Sequence, residues 1–142
     1  MAEDALWYEA ANVVGITNAL NVVADGLGSA ASDALLKPVE EAGAPRDVQA
    51  LFADIRAFYS CREIPAPFTF MALEPGYAME VWAAVKRAFG DNRLSRRLKE
   101  GLAFAVSLTS RSAFGTAFHL AEVRRLGVGE RGLGVGAGRS AR

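Results

Sequence analysis

Apolar residues recur at helical spacing through most of the chain. Leu6, Ala10, Val13, Val14, Thr17, Leu20, Ala24 and Leu27 fall on one stripe, which predicts a helix over about 5–27. Asn18, Asn21 and Asp25 form a second, polar stripe on that helix, read as a helix-packing seam rather than a metal site. Gly26 and Gly28 are stops. Ser29 or Ser32 is expected to cap a second helix reaching about Glu41, with Pro38 kinking or ending it. After Gly43-Ala44-Pro45, a third helix is predicted from Arg46 to Tyr59, with Val48, Leu51, Phe52, Ile55 and Phe58 on its apolar face.

The prolines of Ile64-Pro65-Ala66-Pro67-Phe68 predict an extended path, followed by a short buried helical turn carrying Phe68, Phe70, Met71 and Leu73. Glu74-Pro75 starts a longer helix with Tyr77, Val81, Trp82, Val85 and Phe89 on its stripe. Two more helices are expected over 94–109 and 112–126. The first is nearly all apolar after Glu100 and should be central and buried. The second sets Ala113, Ala117, Phe118 and Ala121 against a charged face of Glu122, Arg124 and Arg125. Thr109-Ser110-Arg111-Ser112 between them supplies capping groups. From Gly127 the chain turns glycine-rich and is expected to be disordered. No segment alternates with period two. The pattern therefore predicts an all-α domain of five to seven helices, with the hairpin 94–126 at its centre.

Composition narrows the function classes. The chain has 142 residues, one domain by length, and its 16 basic and 16 acidic side chains cancel. Nothing steers it toward nucleic acid, and no apolar run approaches the roughly 18 residues that span a bilayer, so neither nucleic acid nor membrane is expected as a partner. Zero net charge is permissive for self-association. The single cysteine, Cys61, excludes an intrachain disulfide framework and a Cys-rich zinc site, and points to a reducing cytoplasm. Met1 to Asp4 carries two acids and no basic run, so no secretory signal is expected. No metal or cofactor is implied. The glycines of the tail match no phosphate-binding fingerprint.

Candidate chemistry concentrates in the predicted hairpin. Ser112, Gly115 and His119 share one face of its second helix. Glu100 and His119 stand equally far from the midpoint near residue 109, so an antiparallel pair would bring them level, in contact directly or through one water. An acid, the only histidine and a helix N-terminus together make a proton-handling site. Each residue also has a plainer reading. His119 is then a helix histidine satisfied by a neighbour, Glu100 a first-turn acid, Ser112 an N-cap and Cys61 an incidental thiol. The basic residues Arg93, Arg96, Arg97 and Lys99 form a solvated face or an oligomer contact, and Phe52, Phe58, Phe68, Trp82, Phe104 and Phe118 are core.

The run Arg96-Arg97-Leu98-Lys99-Glu100, an apolar helix, a break, and His119 ahead of Arg124-Arg125-Leu126-Gly127 resembles the core motif of the AhpD-like (carboxymuconolactone decarboxylase) superfamily. The lead-in Ile64-Pro65-Ala66-Pro67-Phe68 and the Pro75 helix are also similar, so the resemblance covers about residues 60–128. In that family the glutamate precedes a Cys-x-x-Cys pair by twelve residues and the histidine follows it by four. The two cysteine positions fall on Ser112 and Gly115 here. The resemblance implies an AhpD-like helical core over 44–127, with residues 1–43 similar to the trailing helix of a related repeat and 128–142 as a tail. That first helix would then be the remnant of a tandem copy, or would pack on the hairpin of its own or a neighbouring chain. It further implies a homo-oligomer (dimer, trimer or hexamer) and a small organic substrate. Neither a hydroxyl at Ser112 nor the bare Gly115 supports a sulfenate or disulfide cycle, so hydroperoxide reductase activity is expected to be absent or weak. The alternatives are a cofactor-free decarboxylase-type enzyme using Glu100 and His119 for proton transfer, and a one-cysteine peroxidase using Cys61.

Overall fold

A computed structural model describes residues 1–27 and 36–127. The described residues are all-α, with six helices: α1 (Ala2–Gly26), α2 (Arg46–Tyr59), α3 (Ala66–Met71), α4 (Pro75–Phe89), α5 (Arg96–Thr109) and α6 (Ala113–Arg125). Five of them fall where the apolar period places them, because local periodicity and terminators act within a few residues.

Two local readings are corrected. The helix expected from Ser29 or Ser32 to about Glu41 has its first part outside the described residues, and 36–41 are not helical. Pro38 lacks the N–H a helix needs there, and Val39 instead donates its N–H to the carbonyl of Thr69, 3.0 Å away. The Pro65–Phe68 segment is less extended than expected. Ala66 and Pro67 form the first turn of α3, where a missing N–H costs no hydrogen bond. The expected tail lies outside the described residues.

Capping sets the hairpin. Ser95 accepts from the N–H of Leu98 at the start of α5, and Ser112 accepts from the N–H of Gly115 at the start of α6. Between them Arg111 adopts a left-handed φ of 57°, which turns the chain so that the Ser112 N–H reaches the carbonyl of Ser107 at 3.0 Å. The helices then run back antiparallel.

The core is one cluster built from α1, α2, α3, α4 and α5, with Val13, Phe52, Ile55, Phe68, Trp82, Val85, Phe89 and Ala103 among its members. Helix α1 lies across α4 and the α5–α6 hairpin of its own chain. Several apolar residues expected inside are outside: Leu73, Tyr77 and Leu108 are each about half or more exposed. In α5 the inward residues are Lys99, Glu100, Ala103, Phe104 and Ser107, so the helix is central but carries a mixed face.

The largest correction concerns α6. Ala113, Ala117 and Ala121, expected to face the core, are exposed, and Phe118 is half-buried. Ser112, Gly115, His119, Glu122 and Val123 face inward. Polar groups turn inward only when their partners are already there, and each of these has one or fits beside one.

Candidate functional site

The hairpin register brings Glu100 and His119 together as their equal distance from the turn requires. His119 Nδ1 donates to Glu100 Oε2 over 2.8 Å, since a carboxylate only accepts. Glu100 is fully buried and His119 is 3% exposed. The imidazole lies parallel to the Phe89 ring at 5.8 Å between centroids and meets the Phe118 ring edge-on at 5.2 Å. The Glu100 carboxyl group and the flanking rings together fix the orientation of the imidazole. Nδ1 is committed, and the imidazole makes no second hydrogen bond among the described residues.

Sequence reasoning missed the residue that completes this cluster. Arg96, expected on a solvated face, has a side chain only 15% exposed. Its guanidinium covers the Phe58 ring at 3.8 Å, donates to the Phe58 carbonyl at 2.8 Å and reaches Glu122 Oε2 at 3.1 Å. Its Nε lies 3.7 Å from Glu100 Oε1, and neither atom has a hydrogen-bond partner. Arg125 closes the far side with three hydrogen bonds to the Glu122 carboxylate. Two guanidiniums thus face two carboxylates around one imidazole. The i,i+4 spacing of Arg96 and Glu100 was the available signal; the contact with Glu122 joins residues 26 apart and had none.

Tyr59 is the phenol of this neighbourhood. Burial pushes its hydroxyl well above the ordinary tyrosine range, and the negative charge of Glu100 adds to the effect. Tyr59 therefore stays neutral at any physiological pH.

Ser112 and Gly115 serve the fold. The Ser112 hydroxyl accepts from the Gly115 N–H at 3.1 Å and donates to Asp25 Oδ1 at 3.2 Å. Gly115 sits beneath the Asn21 amide, which donates to Ser107 Oγ at 2.9 Å. A Cβ built on Gly115 would collide with Asn21 Oδ1 and lie 2.5 Å from Ser107 Oγ. Of the polar stripe on α1, Asn21 forms the packing seam, Asp25 touches its edge and Asn18 is exposed. Thr17, unremarked in sequence except as apolar filler, is buried beside them with its hydroxyl unpartnered.

Lys99 also leaves the expected solvated face. It is fully buried, with Nζ 2.6 Å from Glu9 Oε1 and 2.5 Å from the Gly90 carbonyl. That hydrogen bond holds the Glu9 carboxyl below the usual carboxylate range. Arg93 and Arg97 are exposed as expected. Cys61 is partly buried, and burial raises its thiol above the ordinary cysteine range. The charge of Glu122 pushes the same way, against Arg56 and Arg125. Among the described residues no three His, Cys, Asp or Glu side chains could hold a metal ion, and no helix is long and apolar enough to cross a membrane.

The fold and the site define a class in physical terms: an all-α domain whose central hairpin encloses a Glu–His pair, braced by arginine and aromatic rings. No family model, curated protein or solved structure matches the chain.

Proposed function

We propose that this chain is an AhpD-like scaffold protein that no longer carries out thiol peroxidase chemistry, and that its Glu100–His119 pair now acts as a buried polar strut. The observation that carries the reading is the seat of the Asn21 amide over Gly115. A Cβ at the position where the resemblance puts the second cysteine would force the buried Asn21 amide and Ser107 hydroxyl to shift. At the first position, the Ser112 hydroxyl is committed to the N-cap and to Asp25. An alcohol there has no accessible redox cycle.

The two enzymatic alternatives find less support. A decarboxylase needs an enclosed pocket lined by its proton-transfer groups. Neither the α1–α4 groove nor the α2–α4 groove is lined by Glu100 or His119, and both side chains are buried. A one-cysteine peroxidase needs a thiolate at neutral pH, whereas burial moves the Cys61 thiol the other way. Self-association belongs to the same proposal: Trp7 and Val22 on α1 and Tyr77 on α4 are largely exposed apolar side chains that a second copy would cover. A free thiol fits a reducing, cytoplasmic setting.

The test is consumption of hydrogen peroxide and an alkyl hydroperoxide with a dithiol reductant, comparing wild type with Cys61→Ser and His119→Ala. The expected rate is the uncatalysed background in all three. Turnover that disappears in either variant would overturn the reading. Sedimentation equilibrium measures the assembly directly.

A further inference from the structure

A second feature lies apart from the Glu100–His119 pair and is independent of whatever that pair does. Helices α1 and α4 diverge to leave a groove of about 660 Å³, within the roughly 300–1,000 Å³ typical of small-molecule sites. Its apolar surface comes from Ala5, Tyr8, Ala11, Gly15 and Ile16 on α1 and from Ala84 and Ala88 on α4. Five of these seven side chains are methyl groups or nothing. A Cβ at Gly15 would meet no atom within 4 Å. The floor of the trough is therefore open, with room for an extended alkyl chain to lie along it. From Ala5 to Ile16, its two ends on α1, a helix rises about 16 Å.

Its charge is concentrated in Arg87 on α4 and Arg93 beyond it, both lining the groove and both exposed. Neither side chain makes an ion pair or hydrogen bond among the described residues. The neighbouring cations differ. Lys99 is paired with Glu9, and Lys86 with Asp54. Glu9, the one carboxylate in the groove wall, is already neutralised by Lys99. The groove thus joins an apolar trough to an unneutralised pair of guanidiniums, the donors best suited to a planar carboxylate.

We propose that the α1–α4 groove binds a medium-chain fatty carboxylate, with its chain along Ala11, Gly15, Ala84 and Ala88 and its headgroup at Arg87 and Arg93. Charge complementarity selects the anionic headgroup, and the small side chains leave room along the trough for an alkyl tail. Burying that tail supplies the affinity, and the arginines supply the preference for carboxylate over alcohol.

The test uses the full chain and isothermal titration with decanoate below its aggregation concentration, with decan-1-ol as the uncharged comparator. Decanoate is expected to bind at one site per chain and more tightly than the alcohol. The Arg87→Gln/Arg93→Gln variant changes only exposed side chains. It should weaken decanoate by about tenfold, from two solvent-exposed ion pairs, and leave the alcohol unchanged. Gly15→Leu fills the trough at an exposed helical position and should abolish binding of both, with circular dichroism confirming the fold. Absence of binding by wild type, equal affinity for acid and alcohol, or unchanged binding in either variant would each overturn the proposal. So would a concentration-dependent dimer that Gly15→Leu dissociates and decanoate leaves intact, which would assign the groove to a second copy.

Discussion

Gly115→Ala adds one methyl group to the inward face of α6, where the Asn21 amide and the Ser107 hydroxyl already occupy the space. On an open helix this change would stabilise by about 1 kcal/mol through helix propensity. Here the methyl must displace a buried amide. Forcing an extra methyl into a packed interior costs about 1–3 kcal/mol. Breaking the 2.9 Å Asn21–Ser107 hydrogen bond adds about 1–2 kcal/mol, because both groups stay buried. The net expectation is destabilisation by about 1–4 kcal/mol, or a fall in Tm of about 3–13 °C for a domain of this size. Urea and thermal unfolding followed by circular dichroism measure it. The cycle with Asn21→Ala isolates the cause. Asn21→Ala alone destabilises by leaving Ser107 without its partner, but it clears the space. The double variant should therefore be more stable than the two single effects added, by about 1 kcal/mol or more. A Gly115→Ala protein that melts at or above the wild-type temperature, or strict additivity in the cycle, would refute the steric argument. It would remove the main support for an obstructed second cysteine position.

Two further outcomes test the electrostatics. Glu100→Leu should cost about 1–3 kcal/mol, because His119 Nδ1 stays buried without its hydrogen-bond partner while Arg96 keeps Glu122. Glu100→Gln, which retains an acceptor oxygen, should cost less, and urea midpoints that rank the two in the opposite order would contradict the strut. Acid sensitivity should come from Asp54, Glu9 and Glu41. Hydrogen bonds from Lys86 and Trp82, from Lys99 and from Arg56 respectively hold their carboxyl groups below the unfolded values. Folded carboxyls with lowered pKa bind fewer protons than unfolded ones. Their stabilisation is therefore complete above roughly pH 5 and is lost as pH falls below about 4. Asp54→Asn should flatten that acid limb in a series of unfolding midpoints; a limb as steep as wild type would exclude Asp54 as a contributor.

The sequence by itself determined whatever a few neighbouring residues settle. Proline, glycine and serine set the helix ends. The apolar period set α1, α2, α4, α5 and α6. The equal spacing of Glu100 and His119 from the hairpin turn set their meeting, because an antiparallel register is arithmetic once the turn is known. Tertiary structure decided which face of α6 is inside. Hydrophobicity favoured the alanines, yet the polar residues won because Arg96, Glu100, Asn21 and Asp25 meet them from other helices. The same holds for Arg96 and Lys99, which look like surface cations until Glu122, Phe58 and Glu9 surround them. Burying a polar or charged group costs free energy that only a partner offsets, and those partners lie up to 90 positions away, in Glu9 and Lys99. No local pattern encodes such a pairing; it exists only once the helices have packed.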